Sequence, residues 1–94
     1  MMAYYVYLIL SKKLNKNISY VGYTNNIEKR ITLHNNSKGA KFTKGKRWKL
    51  IYLVKYYNKS NAMKEEYKLK KNYKLRKQII TKYLKNENFN SPSL

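Results

Sequence analysis

The sequence contains no cysteine and only one histidine, His34. Without cysteine, disulfide bonds and thiolate metal sites are excluded, and a single histidine excludes metal sites built from several imidazoles. No apolar run approaches the about 18 residues that span a bilayer, and the N-terminus lacks the basic-then-apolar order of a signal peptide. We therefore expect a soluble protein with no membrane partner that is not secreted and works inside the cell, in the cytoplasm, nucleoid or nucleus.

Acidic residues are also scarce. Aspartate is absent, and Glu28, Glu65, Glu66 and Glu87 stand against 22 lysines and arginines, for a formal net charge of +18 on 94 residues. Such a charge repels itself unless a polyanion neutralises it, and contacts with nucleic-acid phosphates release counterions. Coding bias in an AT-rich genome would add lysine, but it would not remove acidic residues. We therefore predict nucleic acid as the partner and rank an anionic membrane surface second.

Three segments rich in β-branched and aromatic residues predict β-strands. They are residues 3–10 (AYYVYLIL), 18–23 (ISYVGY) and 50–57 (LIYLVKYY). The first two are expected to pair as an antiparallel hairpin with a loop over Ser11 to Asn17. Gly22, inside the second segment, predicts either a bulge or a close approach of another group to the backbone.

A helix-capping pattern follows the second predicted strand. Asn25, with Glu28 three residues later, has the spacing of a capping box and predicts a helix N-terminus. The helix is expected to end near residues 35–36. It carries three side chains on one face, Ile27, Ile31 and His34. The next segment, 37–47 (SKGAKFTKGKR), predicts a basic loop.

The remaining sequence predicts two more helices and a tail. Ser60 or Asn61 caps the first of these helices, and a basic helical stretch continues to about Tyr83. The whole order is β-β-α-β-α-α, which predicts an α/β domain over residues 1–85, with helices flanking a small three-stranded sheet that is mixed or antiparallel. Residues 86–94 (NENFNSPSL) are polar and predict a disordered tail.

Glu66 is unusual for its position on the second predicted helix. It falls on the apolar stripe of that helix, with Ala62, Leu69 and Tyr73. Burying a lone carboxylate is costly unless it is paired or binds a metal ion. A salt bridge to one of the many lysines is the structural alternative to a metal site.

Arg30 and His34 are four residues apart and therefore share a face of the first predicted helix. A histidine that faces a sheet is more often a hydrogen-bonded core residue than a catalyst, and the neighbouring arginine changes this balance only slightly. The chain also holds eleven tyrosines. Tyr5 and Tyr7 share one face of their strand, and on propensity alone they are packing residues.

An ordered set of motifs covers about residues 4–80. The motifs are Tyr5-Val6-Tyr7, Tyr20-Val21-Gly22, the segment 22–35 (GYTNNIEKRITLHN), the loop 37–45 (SKGAKFTKG) and the helix segment 62–71 (AMKEEYKLKK). In this order they resemble the GIY-YIG endonuclease family, and most closely its small stand-alone bacterial-type members, which are similar to the catalytic domain of the structure-specific nuclease Slx-one. Tyr5 stands where the first motif has glycine, which implies that this glycine is not needed for chemistry.

The resemblance implies a metal-dependent endonuclease that hydrolyses DNA phosphodiester bonds. By position it implies the following catalytic residues: Tyr7 and Tyr20 as the motif tyrosines, Arg30 as the catalytic arginine with His34 beside it, and Glu66 as the metal ligand. Tyr7 is the preferred general base. The basic loop is expected to hold DNA phosphates without reading sequence, through Lys38, Lys41, Lys44, Lys46 and Arg47.

The scarcity of carboxylates favours a single metal ion. Two-metal nucleases hold their ions about 4 Å apart with several carboxylates. Glu65 and Glu66 are the only such pair in the predicted core, and adjacent helix positions point about 100° apart, so only one of them can face the site. We predict one Mg²⁺ (or Mn²⁺) held by Glu66 and water.

Two other interpretations stay open. The chain is either a non-catalytic basic nucleic-acid-binding module, whose tyrosine-rich strands stack bases, or an accessory protein whose enzyme fold has degenerated. The ordered site residues argue against both, because stacking needs no buried carboxylate. The DNA substrate also stays open, among branched or flapped DNA in repair or recombination and the target of a mobile element. A protein partner or a homodimer would then supply specificity.

Overall fold

The computed structural model describes residues 2–13 and 15–90 of the protein. The elements are β1 (Tyr4–Lys13), β2 (Lys16–Thr24), α1 (Ile27–Asn35), a 3₁₀ turn (Lys41–Thr43), β3 (Lys49–Tyr56), α2 (Lys59–Lys71) and α3 (Tyr73–Asn90). The predicted α/β class and the order β-β-α-β-α-α are confirmed. The strands form one sheet in the order β2-β1-β3, and both pairings are antiparallel. Of the two sheet types that the sequence left open, the sheet is therefore antiparallel.

β1 is the central strand because its side chains are apolar on both faces. Val6 and Leu8 pack on the side of α2 and α3, whereas Tyr7 and Ile9 pack on the side of α1. All four are at most 2% exposed. Burying an aliphatic side chain of this size contributes about 1.5–3 kcal/mol. The two-sided burial places the sheet between helix layers, with Tyr7 beneath α1.

The hairpin of β1 and β2 is longer than predicted. The pairing continues to Lys13 opposite Lys16, so the expected loop over residues 11–17 is wrong. The ladder needs only backbone groups, and polar side chains beyond the core face solvent without cost to it. Asn15, in the turn, has a φ of 66°. Asparagine tolerates this left-handed conformation better than most residues.

α1 begins one residue later than predicted. Asn26 rather than Asn25 is the N-cap, and its Oδ1 accepts a hydrogen bond from the Lys29 N–H at 3.1 Å. The Asn26 N–H donates to Thr24 Oγ1 at 3.1 Å, which fixes the turn between β2 and α1. The predicted capping box is therefore wrong, and Glu28 lies instead in the first turn, where a carboxylate stabilises the helix dipole. The predicted end near residue 35 is confirmed.

α2 and α3 are both capped by asparagine. Asn58 Oδ1 accepts the Asn61 N–H at 3.1 Å, so Asn58 is the N-cap and the predicted caps Ser60 and Asn61 lie inside α2. Asn72 ends α2, and its Oδ1 accepts a backbone N–H from the first turn of α3 at 3.0 Å. Because the helix breaks there, Tyr73 is 67% exposed and does not extend the apolar stripe of α2.

The far end of α3 is tied to the sheet. Glu87 pairs with Lys12 of β1 at 3.6 Å and with Lys49 of β3 at 3.7 Å. Residues 86–90, the first part of the tail predicted from the sequence, are helical and belong to α3. Residues 91–94 of that tail lie outside the described residues. In the part of the chain that the structure describes, no helix is long and apolar enough to cross a bilayer.

Candidate active site

The Tyr7 side chain is the centre of the candidate site. It extends from the middle strand over β2 and passes directly across Gly22, its cross-strand partner. A Cβ atom built on Gly22 would meet Tyr7 Cζ at 2.5 Å, which is closer than real Cβ contacts allow. The predicted close approach at Gly22 is therefore confirmed, and the approaching group is the phenol. Only a residue without a side chain lets the hydroxyl reach this edge of the sheet.

The Tyr7 hydroxyl is hydrogen-bonded to a fully buried histidine. His34, on α1, is 0% exposed and places Nε2 at 2.8 Å from the Tyr7 hydroxyl. Its other nitrogen, Nδ1, lies at 2.9 Å from Thr43 Oγ1. The Thr43 hydroxyl also lies 2.8 Å from the Ala40 carbonyl oxygen.

These contacts fix the histidine tautomer. A carbonyl only accepts, so the single hydroxyl proton of Thr43 is donated to Ala40. Thr43 Oγ1 must then accept from Nδ1–H of His34, which leaves Nε2 with its lone pair. Nε2 accordingly accepts the hydroxyl proton of Tyr7. The lone pairs of the phenol oxygen remain for other donors.

Arg30 supplies one such donor. Its Nε donates to the Tyr7 hydroxyl oxygen at 3.4 Å. Burial raises the pKa of Tyr7 because it disfavours the phenolate, although the hydrogen bond and charge of Arg30 act in the opposite direction. Burial and the Arg30 charge lower the pKa of His34 to about 4. At neutral pH the site therefore holds a neutral imidazole, a protonated phenol and a fixed guanidinium cation.

Tyr20 lies beside the same histidine. It is half-buried on β2 and meets the His34 ring edge-on, with ring centroids 5.2 Å apart. Its other neighbour is Phe42 of the basic loop, whose ring is stacked at 6.2 Å with an interplanar angle of 20°. Tyr20 thus connects the site to the loop.

Glu66 lies on α2. It belongs to the stripe of buried Ala62 and Leu69, and its side chain is 17% exposed. Its negative charge is the smallest of the causes that act on the pKa of Tyr7, which it raises. It also forms an ion pair with the exposed Lys70 at 3.6 Å. This is the kind of salt bridge that the sequence analysis named as the alternative to a metal site.

Glu65 points elsewhere, as adjacent helix positions require. It pairs with Lys68 at 3.3 Å and lines a cavity of about 220 Å³ with Tyr52 and Tyr56 of β3. Within residues 2–13 and 15–90, no three histidine or acidic side chains lie close enough together to hold a metal ion between them.

The five basic residues of the loop differ in exposure. Lys38, Lys41, Lys44 and Arg47 are exposed. Lys46 is half-buried, and its Nζ donates to the Phe42 carbonyl oxygen at 3.0 Å. Four of the five cations are therefore free to meet an external anion.

The loop backbone is held by residues that sequence reasoning did not single out. Asn35 pairs with the Trp48 backbone in both directions, accepting its N–H at 2.6 Å and donating to its carbonyl at 3.2 Å. Trp48 Nε1 donates to the Thr43 carbonyl at 3.0 Å. A Cβ on Gly39 would meet His34 Cε1 at 2.9 Å, so this glycine lets the loop cover the imidazole.

The sequence carries a weak signal for these residues. Thr43 is the only β-branched residue in a loop of lysines and glycines, and Trp48 is the only tryptophan in the chain. Neither fact specifies a histidine partner. That contact requires the loop to fold back over α1, which no local pattern encodes.

Comparison with known proteins places the chain in a family. The model of the GIY-YIG catalytic domain matches residues 3–86. A UPF0213 protein of Clostridium perfringens is 44% identical over 89 residues, covering 90% of this chain and 91% of that protein. A UPF0213 protein of Oceanobacillus iheyensis is 43% identical over 68 residues, covering 71% of this chain and 76% of that protein.

A solved structure is also similar. The solution NMR structure of a UPF0213 protein from Bacillus halodurans is 34% identical, with a TM-score of 0.48, and covers 85% of this chain and 84% of that one. The resemblance seen in the motifs is thus confirmed by the family match over most of the chain and by the relatives. The chain belongs to the GIY-YIG catalytic-domain family, whose members are typically nucleases.

Proposed function

We propose that the protein is an endonuclease that hydrolyses DNA phosphodiester bonds with one divalent metal ion. The observation that carries the proposal is the environment of the Tyr7 hydroxyl, which is hydrogen-bonded to His34 and Arg30. The charge of Glu66 raises the pKa of this hydroxyl. Phosphodiester hydrolysis needs a proton acceptor for water, positive charge at the phosphate and a metal ligand. The first two meet at the Tyr7 hydroxyl, and Glu66 on α2 is the carboxylate whose charge acts on the pKa of that phenol.

The charge of the whole chain supports DNA as the substrate. The net charge of +18 attracts polyanions, and four exposed cations of the basic loop follow directly after α1 in the chain. Contacts of this kind position the backbone without reading base sequence. A cut in branched or flapped DNA would give the protein a role in repair or recombination.

Glu66 is the residue that would hold the metal ion, together with water and a phosphate oxygen. Its carboxylate fits this role because it is half-buried on the apolar stripe of α2 and its charge raises the pKa of Tyr7. Its ion-pair partner Lys70 has a side chain that is 54% exposed and can move away. Mg²⁺ prefers oxygen ligands and keeps several waters when one or two carboxylates bind it. When bound, the ion stabilises negative charge on the phosphate as a Lewis acid. One carboxylate at the site fits one ion.

Arg30 would stabilise the charge that develops on the phosphoryl oxygens. Its guanidinium is always charged, and its contact with Tyr7 uses only Nε, which leaves the other N–H groups for phosphate. Tyr20, half-buried beside His34, would orient the phosphate or the water.

Tyr7 would transfer the proton. The attacking water would give a proton to the phenol oxygen while the phenol gives its own proton to His34 Nε2. The water oxygen bonds to phosphorus as the bond from phosphorus to the leaving oxygen breaks, and the leaving oxygen takes a proton from solvent. The tautomer set by Thr43 keeps that nitrogen unprotonated, and a pKa of about 4 keeps it so at pH 7. Protonating it at pH 7 costs about 4 kcal/mol, at 1.36 kcal/mol per pH unit. His34 is therefore a transient acceptor that must lose its proton within the same turnover.

The experiment that tests the proposal compares supercoiled, single-stranded and branched DNA, each with Mg²⁺ or with EDTA. The wild-type protein should nick at least one substrate with Mg²⁺ and none with EDTA. Glu66→Gln should abolish nicking while DNA binding stays within about threefold. Glu65→Gln is the matched control, because it removes the neighbouring carboxylate, 37% exposed against 17% for Glu66, from the same helix and should leave nicking intact. Binding without cleavage under every condition would favour the non-catalytic nucleic-acid-binding module.

A further inference from the structure

Phe42 is an exposed aromatic residue at the edge of the candidate site. Its side chain is 52% exposed, although its loop neighbour Thr43 is fully buried. The other large side chains of this loop are lysines and an arginine. Single exposed apolar side chains are common, so it is the position of this ring, among exposed cations at the edge of the site, that makes it a candidate contact for a ligand.

The Phe42 ring is held in a fixed position. It stacks on Tyr20 at 6.2 Å and contacts Trp48 in a tilted geometry at 6.4 Å. Lys46 Nζ lies 5.1 Å from the ring centroid and is anchored on the Phe42 carbonyl oxygen. The turn beneath it is fixed by the bond between Thr43 and His34. The ring is therefore preorganised, which reduces the entropy lost when a ligand stacks on it.

The neighbours of the Phe42 ring are suited to bind a nucleotide. Tyr20 connects it to His34 and so to the reacting phenol, and Lys46 brings a cation next to the ring. An ammonium over an aromatic face is held by a weak attraction when exposed. A base can take that face while the ammonium turns to the phosphate of the same nucleotide.

We propose that Phe42 stacks on an unpaired base next to the scissile phosphate, so that the preferred substrate is DNA with unpaired nucleotides at the cut, such as a flap. The proposal rests on the proposed function and names its substrate class. Bases inside a duplex are stacked on each other, and only an unpaired or extruded base offers its face to a protein. Paired DNA would then be held by the basic loop alone and more weakly.

Binding is measured first, so that it does not depend on catalysis. Fluorescein-labelled 5′-flap DNA and a fully paired duplex of the same length are titrated with the full-length Glu66→Gln protein in Mg²⁺ at fixed salt. Phe42→Ala should weaken flap binding about 10-fold, within the range for one base–aromatic stack, and change duplex binding less than twofold. Tyr57→Ala removes a 64% exposed ring with Lys55 over it and should change neither.

Conservative variants separate stacking from simple apolar cover. Phe42→Trp and Phe42→Tyr should keep flap affinity, whereas Phe42→Leu should behave like Phe42→Ala. Thermal melting of each variant checks the fold. If Phe42→Leu binds the flap as well as phenylalanine does, or if Phe42→Ala weakens both DNAs equally, the stacking proposal is overturned.

Cleavage by the otherwise wild-type protein distinguishes the two proposals. The ratio of kcat/KM for flap over duplex should fall about 10-fold in Phe42→Ala, with duplex nicking unchanged. An unchanged ratio with intact nicking overturns the stacking proposal alone. A protein that cuts neither DNA with Mg²⁺ overturns the proposed endonuclease, and the binding titrations still decide the role of Phe42.

Discussion

Thr43→Val tests whether the loop sets the tautomer of His34. The substitution keeps the shape of a residue that is 0% exposed and removes the hydroxyl that accepts Nδ1–H of His34. A buried donor left without a partner costs about 1–3 kcal/mol. For a domain of this size, that loss lowers the Tm by about 4–8 °C per kcal/mol. The Ala40 carbonyl loses the hydroxyl as a donor but keeps the Thr43 backbone N–H at 3.1 Å, so the expected loss comes mainly from the imidazole N–H.

The same change should alter the tautomer. Without Thr43 Oγ1, nothing holds the proton on Nδ1, so a fraction of the imidazoles will carry it on Nε2 and can no longer accept from Tyr7. Urea unfolding measures the stability, and ¹⁵N NMR of the imidazole nitrogens measures the tautomer. Thr43→Ser keeps the hydroxyl and should keep the Nδ1–H tautomer, although the buried methyl that it removes costs about 1 kcal/mol. Thr32→Val removes an exposed helix hydroxyl that bonds only the Glu28 carbonyl and should remain within about 0.5 kcal/mol of wild type. A Thr43→Val protein that is as stable as Thr32→Val and keeps the Nδ1–H tautomer would refute the assignment.

Two further predictions concern pH and charge. His34 has a folded pKa of about 4, below its ordinary 6.5, so its contribution to stability is complete above pH 6.5 and is lost as pH falls through 4. The free energy of unfolding should drop by about 3 kcal/mol over that range, and His34→Gln should remove this part of the pH dependence in urea titrations. Arg30→Ala should lower kcat for nicking about 10²–10³-fold with little change in DNA binding. Arg30→Lys should restore little of the lost nicking rate, because lysine lacks the planar set of donors. A fully restored rate would show that only the positive charge of Arg30 is needed.

The sheet and helices were predictable because their determinants are local. The two-sided apolar pattern of residues 4–10 requires a buried strand, and the spacing of Ile27, Ile31 and His34 requires a helix face turned inward. Both expectations match the structure. The caps were missed by one to three residues, because several asparagines and serines lie near each helix start. Only the backbone geometry selects the side chain that reaches the right N–H.

The environment of the site was less predictable than its residues. The sequence puts Arg30 and His34 on one helix face, and the structure brings both to the Tyr7 hydroxyl. No pattern in the sequence indicated that Thr43 would fix the tautomer of His34. That contact joins residues nine positions apart through a segment with a positive φ of 61° at Ser37, and its geometry depends on packing against Trp48. The partial burial of Glu66 followed from its stripe, whereas its electrostatic effect on Tyr7 depends on how α2 crosses the sheet.

The contact between Tyr7 and Gly22 limits how this chain can vary. A side chain at position 22 is incompatible with the phenol at position 7, so glycine is expected at position 22 in every related sequence that has tyrosine at position 7. Tyr5, which replaces the glycine of the first motif, pairs with Thr24 and Lys55 and leaves a half-buried ring that fits the sheet. An unchanging glycine at position 22, beside free variation at position 5, would therefore distinguish a glycine that is kept for space from one that can be replaced.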